Sequence, residues 1–300
     1  MKTTHALPAR PEQNGFRRIS LGLVVTAAIS LHYNAAAIPV MVNLGSARDF
    51  AVLASAGITV TGPTTITGDI GTYPTPAITG LGNVTLSGAD RTGNAGDMLT
   101  AKNDLVTAYN DAAGRPNDIL YGGGYNLGNQ TLVSGVYRDD SSFFLTGTLT
   151  LDAQNNPDSV WIFQMGSTLI TAAGTSITVP GSEVALINGA QACHVFWQVG
   201  SSATIGTYSD FVGNILALES ITLNTGATVN GRVLAGEGAI TGAVTLDNNT
   251  ITKSVCSGST GGGDTGGGGT PVPDGGSTLL LLGSGLATLL GLGRRFLSVV

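Results

Sequence analysis

Apolar residues come in short runs along this chain, each closed by Gly, Ser, Asn or Pro. They include FAVLA at 50–54, GITVTG at 57–62, TLTLDA at 148–153, SVWIFQMG at 159–166, CHVFWQVG at 193–200 and NILALESITL at 214–223. Runs this short, rich in β-branched and aromatic side chains and bounded by turn formers, predict strands. The runs also repeat. VWIFQMGSTL from Val160 matches HVFWQVGSSA from His194 at a shift of 34, and GNILALESITL from Gly213 matches GRVLAGEGAIT from Gly231 at a shift of 18. One coil of about 18 residues fits both shifts, and a short fixed period is the mark of a solenoid. Three apolar runs per coil, as in Val229, RVLA at 232–235 and Ile240, predict a three-sided β-helix with alternate side chains pointing inward. Val229, Val233 and Ile240 then face in, glycines sit near the corners, and Arg232 is a solvent or edge contact. The 24 residues from Thr204 to Thr228 make an irregular coil.

One segment has a different period. Ala95, Met98, Ala101, Leu105, Ala108, Tyr109 and Ala112 recur at helical spacing, opposite Asp97, Lys102, Asp104 and Asp111. Gly114 and Pro116 stop it, so a helix over about 94–113 is expected to lay its Ala-rich stripe along one side of the solenoid.

The two ends read as addresses. Residues 1–37 carry Arg17 and Arg18, the apolar stretch ISLGLVVTAAISL and then AAA at 35–37, the pattern of a signal peptide. That run is shorter than the ~20 residues of a spanning helix, which favours export over an N-terminal anchor. After a body at 38–256 comes a Gly-rich linker at 257–271, and then residues 272–300 with VPDGG at 272–276, an apolar run from Leu279 to Leu292, and Arg294 and Arg295. This order resembles the bacterial C-terminal sorting signals of the PEP-CTERM type, in the VPDSG variant. The resemblance implies a membrane-embedded sorting enzyme as partner and an extracellular or cell-surface location, with attachment to membrane or exopolymer through the tail. An ordinary C-terminal membrane anchor is the alternative.

Composition agrees with an all-β body: 45 glycines and only 11% charged residues leave little material for long helices. Residues 38–256 hold seven Lys or Arg against sixteen Asp or Glu, a net charge of −9, which makes nucleic acid and anionic lipid poor partners. The two cysteines, in an exported body, favour a Cys193–Cys256 disulfide over two buried free thiols, and without a CxxC pair they do not make a zinc site.

Catalytic chemistry is hard to assemble. Only His194 lies outside the export segment, in an apolar run where a packed histidine is expected, and no GxSxG or phosphate loop occurs. Asp139 and Asp140 are adjacent, with Asp152 and Asp158 nearby, but neighbours on a strand point to opposite faces and do not flank a sugar. No catalytic residue, metal ligand or cofactor is assigned. What remains is threonine, whose β-branched side chain holds a methyl and a hydroxyl in one preferred rotamer.

Residues 44–256, through LGSARDFAVLASAGITVTGPTTITGDIGTYP, VFWQVGSSATIGT, FVGNILALESITLNTGATVNGRVLA and TLDNNTIT, resemble the microbial ice-binding proteins of the DUF3494 family. The resemblance implies a discontinuous right-handed parallel β-helix of triangular section flanked by one long α-helix. It also implies adsorption to ice or ordered water through a flat solenoid face bearing Thr-Ala/Gly-X-Thr/Asn. TGPT and TGAT carry that form over to Thr61, Thr64, Thr225 and Thr228, while Thr168, Thr171, Ser202 and Thr204 match by coil position. An incomplete ladder puts strong antifreeze activity in doubt more than ice affinity. A surface adhesin or exopolymer-binding protein is the alternative, and a carbohydrate-active β-helix enzyme ranks third.

Overall fold

The computed structural model describes residues 38–236 and 241–257, so the export segment, most of the linker, the sorting tail and Ile240 lie outside the described residues. Within them the short apolar runs form strands that pair in parallel, coil upon coil. An 8-stranded sheet makes one narrow open face, and a 14-stranded sheet makes the other two. The larger sheet turns a corner because two long strands, Asp210–Ala217 and Thr228–Ala235, run from one face to the next. Gly213 and Gly231 lie in register at that bend with φ of 117° and 157°, and a Cβ on Gly231 would stand 1.9 Å from the Gly213 carbonyl oxygen. Only glycine fits there.

Eight levels stack among the described residues, and the chain does not visit them in order. Phe50–Ala54, Gly57–Val60 and Thr64–Thr67 form level seven, and Asp69–Thr72, Ile78–Thr79 and Val84–Ser87 form level eight. The helix α1 (Ala95–Gly114) follows, and the chain resumes at level one with Ile119–Tyr121. It then winds up until Thr250–Thr252, on level six, pairs with Thr64–Thr67. Seven steps of ~4.8 Å separate levels one and eight, ~34 Å in all. A 20-residue helix covers ~30 Å of that return.

The helix lies on one face of the larger sheet. Met98, Ala101, Leu105, Ala108 and Ala112 are buried against Leu53, Leu234, Leu216, Phe196, Ile162 and Val136, the outward residues of that face. Two in-register glutamines complete the dock: Gln164 Nε2 donates to the helix-end carbonyls of Ala112 (2.7 Å) and Arg115 (2.8 Å), and Gln198 Nε2 donates to the Tyr109 hydroxyl (2.8 Å). The repeated Gln of the two aromatic runs therefore serves helix attachment. Beneath the sheet, Tyr137, Phe163 and Trp197 stack through successive levels, with Phe163 and Trp197 rings 4.1 Å apart, and Phe211 packs at a tilt against Trp197 on the same level, 5.0 Å away.

Several expectations change. The 34-residue repeat is one coil: Ile162 pairs with Phe196 on adjacent strands, and the extra length is shared between an excursion around 172–181 and the longer strand and turn at 182–194. Thr204 and Thr228 lie on different faces, so the interval between them is not a coil. Lys102 is buried, its Nζ donating to the carbonyls of Ala235 and Gly236, because the helix edge runs over a strand end whose carbonyls need donors. Arg232 is also buried. It follows the Gly231 bend onto the helix-covered face and donates to Arg48 O (2.9 Å) and Asn214 Oδ1 (2.9 Å) beneath residues 41–48. Val229 and Val233 point inward.

Cys193 and Cys256 are joined, with Cα atoms 5.6 Å apart and a sequence separation of 63. Two outcomes follow for stability, measured by chemical denaturation. Trp197→Ala is expected to cost ~3–5 kcal/mol through loss of the central aromatic stack. Replacing both cysteines by serine is expected to cost roughly 4 kcal/mol, by releasing a loop of this length in the unfolded chain.

Candidate functional site

Alternation along a strand sends every second side chain outward, and parallel pairing repeats that position on each level. On the broad open face this produces two files. Levels five to eight present Thr228 and Asn230, Thr250 and Thr252, Thr65 and Thr67, and Thr85 and Ser87. Between each pair sits an inward apolar residue: Val229, Ile251, Ile66 or Leu86. The two files stand ~6.7 Å apart along the strand and repeat every ~4.8 Å up the stack. None of these eight side chains is charged.

Lower on the same face the pattern breaks. The first file continues from Thr228 to Asp210, Glu183 and Thr148. Asp210 Oδ1 accepts from the Thr228 hydroxyl (2.6 Å), and Glu183 Oε2 accepts from the Thr148 hydroxyl (3.2 Å). At the far edge, hydrogen bonds from Asn188 Nδ2 and the Gln154 amide hold the Asp152 carboxyl below the ordinary range, so it stays ionised. Carboxylates bind water tightly in shells of their own, which makes this half of the face unlike the upper half.

The narrow open face carries a single file, Thr204, Thr222, Thr245, Thr59 and Thr79 in register, which continues downward as Ile170, Phe144 and Asn126. Several of its strands are three residues long and offer one outward position each.

Residues 52–252 match the family model described as Ice-binding-like. The chain belongs to this ice-binding family. It is 38% identical over 276 residues to an ice-binding protein of Nostoc sp. (strain HG1), across 91% of this chain and 94% of that one. Among solved structures it resembles an ice binding protein from an Antarctic biological consortium, at 41% identity and TM-score 0.66, covering 73% of this chain and 93% of the other. An ice-binding protein from the Antarctic ascomycete Antarctomyces psychrotrophicus gives 40% identity and TM-score 0.63, covering 71% and 98%. The VPDSG-CTERM motif matches residues 271–296. These likenesses agree with the parallel solenoid and single helix described above.

Within this ice-binding fold the eight residues expected from sequence do not form one array. Thr228 stands in the broad-face file. Thr61 and Thr225 occupy the corner between the open faces, Thr61 bonding the Leu246 carbonyl (3.3 Å) and Thr225 the Asp247 carboxylate. Thr204 belongs to the narrow file. Thr168 and Ser202 sit half-buried at another corner, paired with Ser142 (2.9 Å) and Glu219 (3.3 Å). Thr64 and Thr171 are buried and point away from solvent. Thr64 donates to Gly62 O (3.0 Å), and Thr171 accepts from the Gly206 amide (2.8 Å). The reason for Thr64 is register: Thr228 pairs with Thr250 and Thr250 with Thr65, so the outward residue after TGPT is one position later than in TGAT.

Seven of the eight double-file residues, Thr65, Thr67, Thr85, Ser87, Asn230, Thr250 and Thr252, lie outside the set expected from sequence. Their signal is the alternating Thr-X-Thr of TIT at 65–67 and 250–252, echoed by TVN and TLS. Other chemistry among the described residues is already committed. A cavity of about 290 Å³ below the helix end is lined by Tyr109, Arg138, Asp139, Gln164 and Gln198. Asp139 there is fully buried and accepts the amides of Ser141 (2.7 Å), Tyr125 (3.1 Å) and Gly124 (3.3 Å). Asp140, in the exposed bend just past that strand, pairs with Arg138 (2.7 Å). Ligand atoms of Cys193, His194 and Cys256 lie within 4.8 Å of one another, but both sulfurs are spent on the disulfide.

Proposed function

We propose that this protein binds ice, as the relatives named for that activity do, and that its contact surface is the upper half of the broad face. The observation that carries the assignment is the uncharged, in-register double file from Thr228 and Asn230 up to Thr85 and Ser87. Each β-branched threonine is stiff at χ1, so methyls and hydroxyls are displayed at fixed points of a two-dimensional lattice. Hydroxyls and the Asn230 amide anchor water, while the methyls leave neighbouring waters to bond one another. Water held in such a lattice loses little further freedom on joining a crystal. The act is adsorption and involves no covalent step, so the protein works without a catalytic residue.

The sorting motif supports export, and in this reading the tail attaches the folded body to the cell surface through a sorting enzyme. Display on a surface also suits an adhesin; the double file favours ice as the surface it meets.

Thr250→Tyr and Thr65→Tyr are each expected to lower thermal hysteresis several-fold with circular dichroism unchanged, since tyrosine suits an exposed strand but stands above the flat face. Thr222→Tyr on the narrow face is expected to leave hysteresis near the parent value; a loss there equal to that of Thr250→Tyr would move the site. Replacing both Glu183 and Asp210 by threonine extends the first file down to Thr148 and is expected to raise hysteresis. A fall on removing those two charges would argue against an uncharged contact surface.

A further inference from the structure

We propose that the Cys193–Cys256 disulfide is a mechanical clamp, which keeps tension on the C-terminal tail from reaching the ice-contact face. The proposal rests on the reading of the tail as the attachment point. Its starting observation is the position of the last strand. Thr250–Thr252 is not at the edge of the stack: it pairs with Thr228–Asn230 on one side and Thr65–Thr67 on the other, and supplies two residues in the middle of the double file. The chain leaves the described fold just beyond it, at Ser257.

Without a cross-link, a pull on residues beyond 257 would draw out Lys253 and then peel this strand, one hydrogen bond after another. The seam between levels six and seven is where the first and last coils of the described body meet, and strand pairing and packing hold it with no peptide connection across it. Peeling would open the ladder there, parting Thr65, Thr67, Thr85 and Ser87 from Thr228 and Asn230. An ice-bound protein tethered by its C-terminus would lose its binding face first.

The disulfide changes the path of the load. It closes a covalent loop spanning 63 residues in sequence, so a pull on Cys256 passes through the sulfurs to Cys193. Residues 194–255 cannot then be drawn into extended chain. That shielded segment holds Thr228, Asn230, Thr250 and Thr252. Cys193 is buried in the turn Ala192–His194, its carbonyl accepting from Asn214 Nδ2 (3.2 Å), and it leads directly into Val195–Val199. That strand is flanked on both sides by Trp161–Met165 and Asp210–Ala217 and carries Trp197 of the aromatic stack. Moving it requires shearing two ladders at once rather than peeling one. A second latch lies beside the first: the Ser257 amide donates to Gln191 Oε1 (2.7 Å), and Gln191 Nε2 donates to Ser257 O (3.3 Å) and Pro157 O (2.9 Å).

The test uses the exported chain, tethered through a handle on its tail and brought to an ice crystal on a force probe, with thermal hysteresis measured in free solution alongside. The oxidised protein is expected to rupture in a single high-force event. The C193S/C256S variant, or the folded protein after mild reduction, is expected to show an earlier low-force release and a several-fold lower rupture force while keeping its hysteresis in solution. Equal rupture forces in the two states would overturn the clamp. A low-force release in the oxidised wild type would overturn it as well, and that measurement needs no variant to fold. Recovery of the protein free in the medium, rather than on cells, would instead refute the tail as tether and leave the force result standing.

Discussion

Each coil of this protein is held to the next by backbone hydrogen bonds between parallel strands, and the pairing is in register, so a side-chain position recurs on every level ~4.8 Å further along the axis. The core, the helix dock and the threonine files all inherit their spacing from that repeat. Inward positions stack Tyr137, Phe163 and Trp197 into a continuous interior. Outward positions on one face stack leucines, a phenylalanine and two glutamines that receive the helix, and on another they stack hydroxyls. A flat, evenly spaced polar surface is thus a by-product of the way the backbone satisfies its own hydrogen bonds.

The same repeat explains why a discontinuous chain path costs so little. Levels seven and eight come from the N-terminal part of the body and levels one to six from the rest, yet the seam reads as any other pair of levels: Thr250 to Thr65, Ile251 to Ile66 and Thr252 to Thr67. The helix is the return path that makes this possible, and its alanines let it sit close against the sheet. The proposed contact face is therefore assembled from segments some 185 residues apart in sequence, and its centre is the one place among the described levels where no peptide bond joins neighbours. The disulfide lies at the exit from that centre.

Much of this was legible in the sequence, because periodicity records geometry. Short bounded runs gave strands, the shift of 18 gave true coil neighbours with Asn214 beside Arg232, and helical spacing located α1 to within a residue at each end. The shift of 34 misled because insertions lengthen a coil without moving its strands. Stacking order was not legible, since nothing local in TIT at 65–67 says that it lies on TIT at 250–252. TGPT points to Thr64 and the outward residue is Thr65, because a four-residue motif carries no information on how a corner is turned. Charge is normally exposed, which is why the sequence points Arg232 and Lys102 to solvent, but each is buried where a neighbouring carbonyl needs a donor.

The central claim, that this face takes hold of ice, is tested most directly by growing a single ice crystal in the purified exported chain while the temperature is lowered in small steps. The account predicts a crystal that develops facets and holds its size across a gap below the melting point. A smooth disc that grows as in buffer alone would contradict it.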